Sequence, residues 1–287
     1  MPFKFNPFLK LVRRRPSFYS RYEGRVDEFG FDLEAFAKWE PFFRFLYEGY
    51  FQVKVLGLEN VPAEGRVVLA GNHSGGLPLD AYMLQSGVLH HHPSPRRIRF
   101  LAHDWLHRVH IIKDVISGMG GVPATFANAK KLLEDEELVF FYPEGARGTG
   151  KLFSSRYRLV DFDPGFVKAA ILTNSPIVPV VTVGGDEIYP VLAKLNFVAD
   201  HLGWPYYPVT PTFPWLPFPA SAVPLPIKML IKIGKPIHLN CPPEMASDRH
   251  LRLKLSQEIQ YHIQDELNRL LRLRKSPFAG WDVESLH

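Results

Sequence analysis

The chain has 287 residues, of which 46% are hydrophobic, so it is long enough to bury a sizeable core. Its single cysteine excludes an internal disulfide and a thiolate metal cluster, and favours a reducing cytoplasmic setting. The formal charge of +5 favours an anionic partner. Because no basic run accompanies a recognisable nucleic-acid module, we expect a membrane surface or a phosphorylated metabolite and no nucleic acid.

Residues 1–52 are predicted to form a basic and aromatic helical extension that contacts a membrane. The first 25 residues mix aromatic side chains with cations, and are either disordered or lie on an anionic membrane. We expect Asp32 to cap a short helix that Pro41 interrupts, and Pro41 to begin a second helix that ends near Phe51. This second helix carries too many aromatic residues for one core-facing stripe, so some should contact a membrane or acyl chain, or pack on the main domain.

From residue 53 the pattern becomes α/β. Buried strands are predicted at residues 53–56, 66–70, 98–102, 138–142, 177–183 and 229–233, and helices after Pro78, up to about residue 117, at 126–133, at 166–173 and between 191 and 198. Strands that alternate with helices predict a mainly parallel central sheet flanked by helices.

The last third of the chain contains an uncharged arm and a long helix. Residues 202–227 are long enough to cross a bilayer, but their repeated prolines would leave backbone groups unpaired in lipid. Their aromatic side chains fit either an interfacial loop or an arm wrapped over the domain. Apolar residues then step by three or four along a predicted long amphipathic C-terminal helix, at Leu255, Ile259, Ile263, Leu267 and Leu270. We assign residues 53–287, arm included, to one domain.

The stretch GNHSGGLPLD, residues 71–80, lies between a predicted strand and a predicted helix. His73 therefore follows a strand end, where ligands bind in open α/β sheets, and can act as a general base that Asp80 orients. Gly75 and Gly76 allow close approach of the backbone to a substrate. The alternative is a polar strand-to-helix turn in which Asp80 only complements the helix dipole.

A second polar stretch, residues 142–148, also follows a predicted strand. Arg147 offers a planar fork for a phosphate or carboxylate, and Glu144 can hold a hydroxyl or Arg147 itself. Gly145 and Gly148 leave room for a substrate at the backbone.

These two stretches resemble conserved blocks of the glycerolipid (lysophospholipid) acyltransferase family. Asn72-His73 with Asp80 resembles its catalytic block, and FYPEGARG, residues 141–148, resembles its Phe-Pro-Glu-Gly-Thr-Arg block. The order and spacing match from about residue 53 to 235, and GGVPATFANA and VGGDEIYP are closer to the monoacylglycerol and diacylglycerol acyltransferase-like branch. The resemblance implies transfer of an acyl group from an acyl-CoA or acyl-carrier-protein thioester to a lipid hydroxyl.

The resemblance also implies roles for individual residues. His73 and Asp80 would be catalytic, and the substrate would be bound by Asn72, Gly75, Gly76, Glu144, Gly145, Arg147 and Gly148. His73 would take the proton of the acceptor hydroxyl, and backbone N–H groups at the glycine turn would stabilise the oxyanion. No cofactor or metal is expected, and the protein would lie peripherally on the cytoplasmic face of a membrane.

Two departures from the family pattern affect this interpretation. Six residues separate His73 from Asp80, where the family usually has four, so Asp80 would reach His73 through a bulged turn. Residues 121–126 lack the arginine that often binds the phosphate of the acceptor, which makes a neutral acceptor credible.

Three other functions stay open. His103, His107 and His110 share one predicted helical face beside Asp104 and could ligate a metal in a hydrolase. Ser74 could serve a serine lipid hydrolase, although no Gly-x-Ser-x-Gly elbow is present. The third alternative is a non-catalytic protein that binds acyl lipids.

Overall fold

The computed structural model describes residues 14–24, 26–74, 77–103, 106, 110–204 and 206–282, with only the backbone at 110–112. These residues form strands β1 (Lys54–Leu56), β2 (Val67–Gly71), β3 (Ile98–Ala102), β4 (Val122–Pro123), β5 (Leu138–Phe141), β6 (Ile177–Val183), β7 (Ala193–Lys194), β8 (Pro208–Val209) and β9 (Leu230–Ile233). Seven of them make one sheet in the order β1-β9-β6-β2-β5-β3-β4, and β7 pairs with β8 separately.

The sheet is parallel at every pairing except that of β6 with β9, which is antiparallel. The helices are α1 (Pro16–Tyr22), α2 (Leu33–Phe45), α3 (Leu79–His91), α4 (His110–Gly118), α5 (Phe126–Glu134), α6 (Ala146–Thr149), α7 (Gly165–Thr173), α8 (Gly185–Ile188), α9 (Asn196–Leu202) and α10 (Arg249–Arg272). The predicted fold class, a mainly parallel sheet flanked by helices with a long C-terminal helix, is confirmed.

The central strand β2 distributes its side chains to two cores. Val67 and Leu69 belong to the core that α1, α2 and α3 cover, whereas Val68 and Ala70 belong to the core that α5, α7 and α10 cover. This alternation follows from the two-residue period of a strand. Because both faces are covered, β2 is fully buried, as expected for a central parallel strand.

The prediction that Pro41 separates two helices is wrong. α2 runs unbroken from Leu33 to Phe45, with Pro41 inside it, and a π-helical turn, Leu46–Tyr50, follows. A proline removes only one hydrogen bond from a helix, and packing of Phe43 on Tyr82 of α3, with ring centroids 4.2 Å apart, holds the helix beyond it. The predicted cap is confirmed, because the Asp32 carboxylate accepts the N–H groups of Glu34 and Ala35.

The helix predicted between residues 191 and 198 is also wrong. Ala193 and Lys194 form β7, which pairs with Val209 and Pro208 of the proline-rich arm, and the helix begins only at Asn196. This pairing joins segments that are distant in the sequence, so a local pattern does not reveal it.

The C-terminal amphipathic helix is confirmed. α10 begins after Asp248, whose carboxylate accepts two backbone N–H groups, and it packs against the sheet through Ile259, Ile263, Leu267 and Leu270. Within the described residues, no helix is both long and apolar enough to span a membrane. The division at residue 52 stays a prediction; Phe18 and Phe36 of the extension share a core with Met83 of α3.

Candidate active site

The site lies beyond the carboxyl ends of β2 and β5. β2 ends at Gly71, and the next residue, Asn72, is buried. The Asn72 amide donates to the Thr182 carbonyl at 2.9 Å and accepts the Thr182 N–H at 2.8 Å, which fastens this end of β2 to β6. Asn72 therefore fixes the position from which His73 leaves the sheet.

His73 and Asp80 face each other, as the sequence predicted. His73 Nδ1 lies 3.6 Å from Oδ2 of Asp80, which is buried in the first turn of α3. The Ser74 N–H also points at His73 Nδ1, at 3.2 Å, and the Ser74 hydroxyl donates to Asp80 Oδ2 at 3.2 Å. Nδ1 cannot accept from Ser74 and donate to Asp80 at once, so a hydrogen bond from Nδ1 to Asp80 requires the imidazole to turn toward the carboxylate. Catalytic hydrogen bonds are often long before substrate binds.

Tyr142 contacts both members of this pair. Its ring stacks on the His73 imidazole, with centroids 3.8 Å apart and planes at 22°, and its hydroxyl donates to Asp80 Oδ1 at 2.9 Å. The Ala81 N–H donates to the same oxygen. Because the hydroxyl points inward toward a carboxylate, burial and the negative charge of Asp80 raise the pKa of Tyr142 well above its usual value.

Glu144 links the two chemical stretches, residues 71–80 and residues 142–148. It does not pair with Arg147. Its carboxylate accepts the His73 N–H at 3.0 Å and the Val160 N–H at 2.9 Å, and forms a buried ion pair with Lys151 at 3.1 Å. Lys151 Nζ also lies 3.8 Å from Asp186 of α8. Burial raises the pKa of Asp186 to about 6, although Lys151 opposes that shift.

The predicted glycines and arginine of the second stretch occupy different surroundings. Gly145 has φ +59° and lines the cavity described below. A Cβ on buried Gly148 would lie 3.0 Å from His73 Cβ and 2.7 Å from Glu144 Cβ, so only glycine fits there. The exposed Arg147 is not part of the cavity wall, and its guanidinium donates to the Asp161 carbonyl at 2.9 Å.

A cavity of about 430 Å³ opens beside His73. Its wall is largely apolar and comes from β3, α5, the β5 end, α7 and the proline-rich arm: His73, Pro78, Leu101, Ala102, His103, Leu106, Ala124, Thr125, Phe126, Ala129, Phe141, Tyr142, Pro143, Gly145, Ala146, Thr149, Asp163, Gly165, Phe166 and Tyr206. A volume of this size is within the range of small-molecule sites in proteins.

Some predicted positions lie outside the described residues. These are Gly75 and Gly76, where the oxyanion contacts were expected, the arm before residue 14, and His107 with Asp104 of the possible metal site. His103 lines the cavity, and the side chain of His110 is not described. Among the described side chains, no group of three metal-ligating residues occurs. Ser74 is buried with its hydroxyl on Asp80.

The residues that sequence reasoning missed are Tyr142 and Asp186. Tyr142 directly precedes Pro143-Glu144, so its place at a strand end was visible, but its contact with Asp80 was not. Asp186 stands in the VGGDEIYP stretch and meets the site through Lys151. Neither long-range contact leaves a local signal.

Comparison with known proteins places the chain among acyltransferases. A family profile described as Acyltransferase matches residues 52–183, which include both chemical stretches. An uncharacterised protein of Mycobacterium leprae is 41% identical over 258 residues, which cover 89% of this chain and 70% of the relative. Phytyl ester synthase 1 of Arabidopsis thaliana is 26% identical, and the match covers 77% of this chain and 34% of the relative.

A solved structure shares the fold. The 1-acyl-sn-glycerophosphate (LPA) acyltransferase PlsC of Thermotoga maritima matches 90% of this chain and 94% of its own, with a TM-score of 0.51 and 17% sequence identity. Because the Acyltransferase profile spans both stretches, the resemblance that they predicted is confirmed: this chain belongs to the acyltransferase family.

Proposed function

We propose that this protein transfers a fatty acyl group from an acyl-CoA or acyl-carrier-protein thioester to the hydroxyl of a lipid. The observation that carries this proposal is the pairing of His73 with buried Asp80 at the wall of an apolar cavity of about 430 Å³. Nδ1 faces Asp80, so Nε2 is the nitrogen available to an acceptor hydroxyl. The cavity next to it offers apolar surface for a chain.

In this mechanism His73 Nε2 takes the acceptor proton as the acceptor oxygen attacks the thioester carbonyl. The tetrahedral oxyanion then collapses, the C–S bond breaks, and the thiolate leaves with the proton that the imidazolium returns. Asp80 stabilises the imidazolium, as the carboxylate of a Ser-His-Asp triad does. The step needs no covalent enzyme intermediate, because the acceptor hydroxyl is itself the nucleophile.

We further propose an acceptor without a phosphate group. Asp163 lines the cavity, and none of its described lining residues is a lysine or arginine. Arg147 is engaged by the Asp161 carbonyl, and Lys151 is paired with Glu144. The name of the Arabidopsis relative describes synthesis of a phytyl ester, whose alcohol part carries no phosphate. Lys168 is outside the cavity wall, and its Nζ lies 4.7 Å over the ring of the lining residue Phe126.

Purified protein given an acyl thioester and a panel of acceptors tests both proposals. We expect mass spectrometry to detect esters of acylglycerols or long-chain alcohols in preference to those of glycerol phosphate or lysophospholipids. His73→Ala should lower the rate by at least about a thousandfold, because it removes the general base. His250→Ala, at an exposed position in the first turn of α10, is the matched control.

Three results would contradict the proposed function. Near-native transfer by His73→Ala would remove the base from the mechanism. Release of free fatty acid with no ester product would favour a hydrolase, and saturable lipid binding without turnover would favour a non-catalytic protein. Preference for a phosphorylated acceptor would overturn the acceptor assignment alone.

A further inference from the structure

One side chain at the end of the neighbouring strand β5 contacts both His73 and Asp80. Tyr142 covers one face of the imidazole with its ring and donates its hydroxyl to Asp80 Oδ1 at 2.9 Å. Its own ring is held by Phe140 of β5, at a centroid distance of 4.4 Å. One side chain therefore constrains the plane of the base and the orientation of the carboxylate.

The long connection between His73 and Asp80 explains why such a constraint matters here. Six residues separate the two in the sequence. The first of them, Ser74, donates its N–H to His73 Nδ1 and its hydroxyl to Asp80 Oδ2. The remaining separation of 3.6 Å from Nδ1 to Oδ2 is longer than a hydrogen bond. In this arrangement no direct hydrogen bond between Nδ1 and Oδ2 holds the pair together. A side chain that reaches both groups from another element can do so.

We propose that Tyr142 is a positioning residue that aligns His73 and Asp80 for proton transfer, a role that rests on the function proposed above. The hydroxyl fixes one carboxylate oxygen and leaves Oδ2 directed at the imidazole. The aromatic face lies where it stabilises the imidazolium that forms when His73 takes a proton.

The surrounding charges bear on how the pair responds to pH. Asp80 receives hydrogen bonds from Tyr142, Ser74 and Ala81. Asp186 interacts electrostatically with Asp80, and the carboxylate of Glu144 accepts the His73 N–H. Without the Tyr142 hydrogen bond, one donor fewer would compensate the negative charge of the Asp80 carboxylate. That change would favour the protonated imidazole and so remove the free base at a higher pH.

Tyr142→Phe tests this role, because it keeps the ring and removes only the hydroxyl. We expect kcat to fall roughly 10-fold, with KM nearly unchanged, as for the loss of one hydrogen bond to a charged group. The acidic limb of the rate–pH profile should move to higher pH by about half a unit. Tyr82→Phe is the matched control, since the buried Tyr82 hydroxyl has no hydrogen-bond partner among the described residues. Its kcat and pH profile should stay those of the unchanged protein.

A double-mutant cycle separates positioning from general packing. If Tyr142 acts through Asp80, adding Tyr142→Phe to Asp80→Asn should cost less than about twofold, because the carboxylate it aligns is gone. A full 10-fold loss in that background would overturn the proposal. So would a Tyr142→Phe protein with a normal pH profile, whether or not its melting temperature falls. These outcomes are distinct from failure of the proposed function, which would appear as an active His73→Ala protein.

Discussion

Gly148 lies where the stretch that contains His73 packs against the stretch that contains Glu144. In α6 it lies against the first carbons of both the His73 and Glu144 side chains. A methyl group there would sit 3.0 Å from His73 Cβ and 2.7 Å from Glu144 Cβ, distances that side chains do not tolerate without a shift. Since the closest atoms are the Cβ atoms next to the backbone, Glu144 and His73 would both have to shift.

We therefore expect Gly148→Ala to reduce activity more than stability. Overpacking should lower the free energy of unfolding by about 1–3 kcal/mol, while displacement of His73 should lower kcat by roughly 100-fold. Denaturant unfolding and steady-state kinetics on the same preparation measure the two effects. Gly49→Ala, whose new Cβ would meet Phe45 at an ordinary 3.5 Å, is the control. Unchanged kcat in Gly148→Ala would show that the His73 position does not depend on this contact.

The sequence predicted the positions of the site residues better than the contacts of their side chains. The His73–Asp80 pairing was accessible from the motif, because both positions flank one strand-to-helix turn. The sequence did not reveal the partners of the other side chains. Asn72 binds Thr182, Glu144 binds Lys151, and Arg147 binds the Asp161 carbonyl. These partners belong to segments whose arrangement only the folded sheet determines.

At the scale of elements, the short helix α8 brings an acidic side chain into the protein. Asp186 contacts Lys151 at 3.8 Å and accepts the Tyr157 N–H at 2.6 Å, and its side chain is only 6% exposed. Burial raises its pKa from 3.8 to about 6, because desolvation penalises the carboxylate more than Lys151 stabilises it. The folded protein therefore binds a proton at Asp186 more tightly than the unfolded chain does.

This pKa shift predicts a decline of stability with rising pH. A carboxyl whose pKa is raised by folding stabilises the folded state fully below its unfolded pKa of 3.8, and that contribution is lost as pH rises through about 6. Over this window, Asp186 should remove up to about 3 kcal/mol from the free energy of unfolding. In Asp186→Asn the difference between unfolding free energies at pH 4.5 and 7, measured with urea, should shrink by about 2 kcal/mol, the part of that loss that falls between these two pH values. A difference equal to that of the unchanged protein would contradict the prediction.

At the scale of the whole molecule, the sheet was predictable except at one edge. Strands that alternate with helices indicated parallel pairing, which holds from β6 through β2, β5 and β3 to β4. β9 runs opposite to β6, and β1 then pairs parallel with β9. The connection between β6 and β9 passes through the proline-rich arm rather than a crossover helix, so apolar strand patterns alone could not give its direction.

Among the described residues, α2 and the proline-rich arm both expose apolar side chains on the surface of the molecule. Phe42 and Phe45 of α2 are half exposed or more, as are Trp215, Phe218 and Val223 of the arm. The Tyr50 hydroxyl joins the two parts: it donates to the Pro224 carbonyl at 2.6 Å, and its ring contacts that of Phe45. Exposed aromatic groups near one another are typical of surfaces that meet a membrane interface.

We expect this region to bind the protein peripherally to lipid, with the net charge of +5 adding attraction to anionic headgroups. Replacement of both Trp215 and Phe218 by serine should weaken partitioning onto vesicles that contain phosphatidylserine by at least about 10-fold, because two apolar side chains would no longer enter the interface. Co-sedimentation at several lipid concentrations measures the partition constant. Tyr261→Ser is the matched control: Tyr261 is 72% exposed on α10, which covers the other face of the sheet. Equal partitioning of the double variant and the control would exclude the arm as the membrane contact, whereas an equal loss in both would indicate non-specific adsorption.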